Sequence, residues 1–515
     1  MRRIHARTLS LLTALLLAAC GGSNSGSDLV ATNPARGQLL QSPPELVSMV
    51  TAPALLLILN TLANQQLLAI SGTPLCDIAV YHIRYATVGG ANEATTASGA
   101  LMVPLGSDPR CRGTRPILLY AHGTTTDRAF NMANLQGDPN GEGLVMAALF
   151  ASQGDIVVAP NFAGYDSSTL PYHPYLIADQ QSKDMIDALT AARSALPTAA
   201  APATRDSGRL FITGYSQGGY VAMATHRAMQ VAGMTVTASA PMSGPYAMAA
   251  FVDAVFSGRV SSGATVSATL LITAYQKAYG NLYSATAEVF EAQYADGIES
   301  LLPSTTPRSV LYAQGKLPAD AMFSATPPDP AFADITPATT PANLAPIFAL
   351  GFGTDHLVTN SFRLSYLLDA QSNPDGGWPT TTTGIATATP GVRLRQALKL
   401  NDLRNWIPTA PTLLCGGNAD PTVFWLNTQL MQGYWAARAP SPDPVTVLDL
   451  DSTVSGGDPY ADLKNQFAQA KQLAAATAVA QGATDGGASA VSDAYHAGLL
   501  PPFCLTAVKS FFAAH

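Results

Sequence analysis

The five residues Gly214-Tyr215-Ser216-Gln217-Gly218 fit the pattern G-x-S-x-G. They fall where a β-branched and aromatic run, Arg209–Ser216, gives way to a helix-like run. A serine at a sharp strand-to-helix turn presents its hydroxyl above the strand end, where it can act as a nucleophile. Such a turn strains the serine backbone, and the residues two positions to either side must lack a Cβ for the chains to approach. The helix that follows points its N-terminus, with a partial positive charge, at the same spot. A tight turn that merely contains a serine fits the same letters, so the rest of the chain must supply the remaining chemistry.

A serine hydroxyl needs a base, and the base needs an orienting carboxylate. Behind a turn of this kind the acid and then the histidine follow the serine along the chain. The histidines after Ser216 are His226, His356, His496 and His515. His226 lies ten residues into the helix leaving the serine and should point away. His356 precedes the last two strands, and His515 ends the chain. His496 is expected in a loop between the last strand and a final helix, which is where the base belongs. The acid should follow the next-to-last strand, and "TLLCGGNADPTVFW" offers Asp420 there. Asp449 and Asp451, at the end of the last strand, are its rivals. The charge on an attacked carbonyl needs two N–H donors. Gln217 supplies one at the helix start. Thr124, in the loop after "ILLYAHGTTT", is the expected second, with Thr125 close behind and His122 structural.

These residues need strands and helices to hold them. Asp77–Val88 and Ala97–Gly106 read as an antiparallel pair. Arg115–Gly123, Asp155–Gly164, Arg209–Ser216, Val236–Gly244, Ala410–Gly417 and Pro444–Asp451 follow, with helix-like stretches between them. That alternation implies a mostly parallel sheet with helices on both faces, an α/β fold. Two stretches are too long to be connections. Residues 245–405 carry their own helix-like patterns and read as an inserted, largely helical cap. A second insertion, about 452–492, is Ala- and Gln-rich and partly helical. The core is then expected in two parts, 41–244 and 406–515. "LVSMVTAPALLLILNTL", from Leu46, is expected to be a packed helix.

A length of 515 residues allows a large core, and 47% hydrophobic content is ordinary for a folded protein. A net charge of −7 argues against nucleic acid as a partner. Residues 1–19 combine a basic start with an apolar run too short to span a bilayer, and read as a signal peptide. The run ends in "LAAC", which looks like a bacterial lipobox that would make Cys20 the lipid-modified residue. Residues 20–40 are expected to be a flexible tether. The chain should then be an exported lipoprotein on the outer membrane or facing the periplasm; ordinary secretion with Cys20 incidental is the alternative. Four other cysteines in an exported chain suggest two disulfides, of which Cys76–Cys111 and Cys415–Cys504 keep each pair within one region. No two cysteines are close enough in sequence to suggest zinc.

With "GYSQGG", "APNFAGYD" and "YAHGT", the chain resembles the α/β-hydrolases, and more narrowly the secretory lipase and esterase group related to fungal lipase A. The resemblance runs from about Cys76 to the C-terminus. It implies a nucleophile at Ser216, an acid at Asp420 and a base at His496. It also implies hydrolysis of small-molecule or lipid esters through an acyl-enzyme, without cofactor or metal. Two departures stand out: Asn161 replaces the usual acid after "AP", and the loop before His496 is long. A serine exopeptidase of the same fold, or a non-catalytic lipid-anchored binding protein on this scaffold, are the other readings. The peptidase would need clustered acids in the cap, where Asp296, Glu299, Asp329 and Asp334 are scattered.

Overall fold

The computed structural model describes residues 34–61, 65–136, 141–199, 204–375, 389–436, 438 and 444–515. The expected signal peptide and Cys20 lie outside the described residues. Nine strands form one sheet: β1 Glu45–Val50, β2 Asp77–Val88, β3 Ala94–Leu105, β4 Gly113–Ala121, β5 Ile156–Pro160, β6 Thr204–Tyr215, β7 Ala238–Met242, β8 Thr412–Gly416 and β9 Val445–Asp449. Their spatial order is β1-β2-β3-β5-β4-β6-β7-β8-β9. The first three strands and the β3–β5 contact are antiparallel, and from β5 to β9 every pairing is parallel.

The apolar runs explain the sheet. In β4, Ile117, Leu119 and Ala121 pack into one buried cluster, while Leu118 and Tyr120 pack into the other. Successive side chains point to opposite faces, so a strand apolar at every position needs cover on both sides. The helices Ala178–Ala199 and Gln217–Val231 cover the first face; Glu142–Leu149 and Leu500–Ala513 cover the second.

Two expectations about the N-terminal region are corrected. The run from Leu46 is not one helix: Glu45–Val50 forms the edge strand β1 against β2, and the helix is confined to Ala52–Leu59. Thr51 makes the break. Its side chain accepts the Ala54 N–H, and Pro53 sits in the first helical turn, where no N–H is needed. The tether also ends before residue 40. Gly37 N–H donates to the Ala86 carbonyl at 2.9 Å, Leu40 N–H donates to the Arg84 carbonyl at 2.8 Å, and Arg36 pairs with Asp187. Residues 37–40 are therefore hydrogen-bonded along β2, and Arg36 is held by the helix Ala178–Ala199.

Between β7 and β8 the chain inserts the helices Met248–Phe256, Ala264–Tyr279, Asn360–Ser372 and Arg393–Leu400 with shorter pieces. A buried ion cluster ties three of them together. The Arg395 guanidinium holds Asp253 through both carboxylate oxygens, at 3.0 and 2.9 Å, and reaches Asp369 at 3.1 Å, so three helices meet at one side chain. After β9 a second insertion contributes the helices Ala461–Ala480 and Ala488–Ala494. Two disulfides are present, Cys76–Cys111 and Cys415–Cys504.

Candidate active site

Ser216 stands between β6 and the helix Gln217–Val231 with φ 58° and ψ −121°, a strained conformation for a residue with a side chain. The flanking glycines allow it. A Cβ on Gly214 would lie 2.3 Å from the Gly218 carbonyl oxygen, and one on Gly218 would lie 1.9 Å from that of Ala121. The backbone is held from the neighbouring strand, with Ser216 N–H donating to the Met242 carbonyl at 3.0 Å.

His496 Nε2 lies 2.8 Å from Ser216 Oγ, and His496 Nδ1 lies 2.7 Å from Asp420 Oδ2. Asp420 follows β8 and is buried. Besides His496, its carboxylate accepts the Ser243 hydroxyl at 2.7 Å and the N–H groups of Thr422 and Val423 at 2.9 and 3.0 Å. Four donors thus fix its orientation, and the rival acids Asp449 and Asp451 do not reach His496 in this way.

The expectation that His496 sits in a loop is corrected: it lies in a π-helical turn, Tyr495–Leu499, between the helices Ala488–Ala494 and Leu500–Ala513. Single π turns recur where a side chain must be set outside the regular spacing. Pro501 and Pro502 bring no N–H to this turn, so its carbonyls need other donors. Tyr215, beside the serine, donates its hydroxyl to the His496 carbonyl at 2.6 Å.

Gln217 starts its helix and Thr124 follows β4. Neither backbone N–H has an acceptor among the described residues. The Gln217 side chain is held by His173, whose ring nitrogen lies 2.7 Å from Gln217 Nε2. Burial pushes the His173 pKa down to about 3, which leaves a lone pair for that contact. His122 is buried, stacks on Phe162 with ring centroids 4.3 Å apart, and faces the Gly123 and Asn161 carbonyls. Asn161 is buried and hydrogen-bonded: it accepts the Met132 N–H at 2.7 Å and donates to Ser98.

Sequence reasoning missed several supports. Glu142 accepts the Gly123 N–H at 3.0 Å and the Tyr120 hydroxyl, and so fixes the peptide next to Thr124. Burial pushes its pKa up. Ser243 completes the shell around Asp420. Only the folded sheet brings these residues together, and no spacing in the chain marks them.

Ser216, Gln217, Thr124 and His496 open onto a cavity of about 770 Å³. Met248, Val252, Phe256, Leu271, Ile272 and Met322 of the β7–β8 insertion line it. Tyr275 lies a turn further along the helix that carries Leu271, fully buried, and donates its hydroxyl to the Leu176 carbonyl at 3.1 Å. Among the described residues no group of His, Cys, Asp or Glu side chains is arranged to hold a metal ion.

A mostly parallel sheet wrapped by helices, with a serine elbow leaving its central strand and the acid and histidine on later connections, defines an α/β-hydrolase, and that is the fold of this chain. The sequence matches no protein-family model and no curated protein. Among solved structures it is similar to the rice cell wall degrading esterase LipA from Xanthomonas oryzae, at 28% identity and a TM-score of 0.62 over 85% of this chain and 96% of that one. A hydrolase candidate from Legionella pneumophila shares the fold at 20% identity and a TM-score of 0.57, over 80% of this chain and 91% of that one. Candida antarctica lipase A matches more loosely, at 12% identity and a TM-score of 0.45 over 80% of this chain and 76% of that one.

Proposed function

We propose that the chain is an exported serine hydrolase that cleaves carboxylic esters through an acyl-enzyme. The observation that carries this reading is the Ser216–His496–Asp420 relay at the mouth of an apolar-lined cavity. The similarity to an esterase at 28% identity supports it. His496 Nε2 takes the Ser216 proton as Oγ bonds to the ester carbonyl carbon. The oxyanion is held by the N–H groups of Gln217 and Thr124. Collapse of this intermediate breaks the bond to the alcohol oxygen, which leaves with the proton from His496. Water then repeats the sequence on the acyl-enzyme, frees the acid and restores Ser216. Asp420 orients the ring and stabilises the imidazolium that forms twice per cycle.

A panel of p-nitrophenyl esters and aminoacyl p-nitroanilides tests this. Ester hydrolysis at least 100-fold above anilide hydrolysis is expected, whereas comparable rates would favour a peptidase and no turnover at all a binding protein.

The β7–β8 insertion serves as a cap that supplies the acyl pocket and no catalytic residue. Leu271 lines the cavity, and a larger side chain there removes room for an acyl tail. Leu271→Trp should lower kcat/KM for dodecanoate esters by about tenfold or more while acetate esters stay within about threefold. An unchanged chain-length profile would contradict this.

Export and lipid attachment at Cys20 are part of the same proposal. The leader composition and the two disulfides support export. Cells expressing the full chain should incorporate radiolabelled palmitate into it, and Cys20→Ser should abolish that. Equal labelling of the variant would refute the assignment.

A further inference from the structure

The rival acid Asp451 has a different use. Its Oδ2 accepts the Ala419 N–H at 3.0 Å and the hydroxyl of Tyr495, while its Oδ1 pairs with Lys471. Ala419 immediately precedes Asp420, and Tyr495 immediately precedes His496. One carboxylate oxygen therefore joins the backbone beside the acid to the side chain beside the base. The Asp451 side chain is 7% exposed, so its charge needs a partner, and Lys471 supplies one from the Ala461–Ala480 helix. The same helix packs Phe467 edge-on against the Tyr495 ring at 5.6 Å and places the Lys471 ammonium 4.8 Å from the Phe467 ring centroid. Gly417 leaves the necessary room: a Cβ there would lie 2.0 Å from the Tyr495 hydroxyl. Asp449 reinforces the arrangement by accepting both the Asn418 N–H, at 3.1 Å, and the Asn418 side-chain amide, at 2.9 Å.

We infer that Lys471, Asp451 and Tyr495 form a positioning device that sets the distance between Asp420 and His496, and that the second insertion is there to deliver its cation. The inference rests on the reading of Ser216, His496 and Asp420 given above. With Lys471 in place, the Asp451 carboxylate stays fixed between its two donors. Without it, an uncompensated buried charge draws in water or rotates toward solvent, and both catalytic connections lose their common anchor. The reacting atoms are untouched, so substrate binding should stay as it is while the chemical step slows, because small misplacements of a base are costly.

The test compares kcat and KM of the full chain on one short-chain ester that the wild type turns over. Lys471→Met keeps the alkyl stem and removes the charge. It should lower kcat about tenfold with KM within about twofold. Lys471→Arg should restore kcat to within about threefold of wild type. Asp451→Asn should lower kcat at least as much, and adding Lys471→Met to it should cost little more, since both remove one unit. Lys464→Met, on the same helix but paired with Asp458, is the control and should match wild type. If Asp451→Asn does not fold, Tyr495→Phe takes its place, with the same expected loss and the same non-additivity. Wild-type kcat in Lys471→Met, failure of Arg to restore a loss, or strictly additive losses in the double variant would each overturn the inference. An inactive wild type would instead overturn the hydrolase reading.

Discussion

Alanine at His496 is expected to lower kcat toward a short-chain ester by about 10⁴- to 10⁶-fold, with the melting temperature within a few degrees of wild type. The size of the effect follows from the relay. His496 is the group that Nε2 sets against Ser216 Oγ at 2.8 Å, and among the described residues no second imidazole stands in its place. His226, the nearest in sequence, is turned away, with its ring against Ser239 Oγ at 2.8 Å and edge-on to Trp406. His122 and His173 are buried, and burial pushes their pKa values down to about 4 and about 3, so neither is poised to take a proton near neutrality. Folding should survive because Asp420 keeps its three other donors, Ser243, Thr422 and Val423. Asp420→Asn should cost about 10⁴-fold by favouring the wrong imidazole tautomer. Steady-state kinetics on the two variants check both values, and a His496→Ala enzyme within tenfold of wild type would remove histidine from the mechanism.

The second large effect is on stability. Cys415 lies in the strand before Asp420, and Cys504 lies in the helix after His496, so their bridge clamps the two connections that carry Asp420 and His496. It links positions 89 residues apart in sequence. In the chain-entropy account a loop of that length is worth about 4–5 kcal/mol, against somewhat less for the 35-residue separation of Cys76 and Cys111. Replacing both Cys415 and Cys504 by alanine should therefore lower the denaturant midpoint markedly. It should also lower kcat at temperatures where the wild type is fully folded, because the clamp lies next to the site. The Cys76–Cys111 pair joins the residue just before β2 to the turn just before β4, away from Ser216, Asp420 and His496, so its removal should destabilise with little change in kcat. Urea titrations and kinetics on the two double variants measure this, and an unchanged midpoint without Cys415–Cys504 would contradict it.

Much of the sheet was legible because its strands are buried on both faces. "RPILLYAHG" and "DIVVAPNFAG" are continuous apolar runs of strand length, too short for a buried helix, and their flanking glycines mark the ends. The elbow was legible for a related reason: Gly214 and Gly218 are there because neighbouring carbonyls occupy the space a side chain would need. Strand β1 was hidden because it is an edge strand with exposed Leu46, Val47 and Met49, contiguous with an apolar helix, so composition does not separate the two. The π turn at His496 was hidden because helical spacing on either side of it is regular, and an extra residue in one turn leaves no mark on the pattern. The Lys471–Asp451–Tyr495 cluster joins residues from the last strand, an insertion helix and the turn beside the base, and nothing in their spacing along the chain pairs them.

The central claim is that Ser216 is the nucleophile, and covalent capture tests it most directly. The full chain should be treated with a fluorophosphonate, digested and analysed by mass spectrometry. A single stoichiometric adduct on the peptide containing Ser216 is expected, with loss of activity in step with labelling and no adduct in Ser216→Ala. An adduct on another serine that tracks the loss of activity, or full ester hydrolysis by Ser216→Ala, would contradict the account.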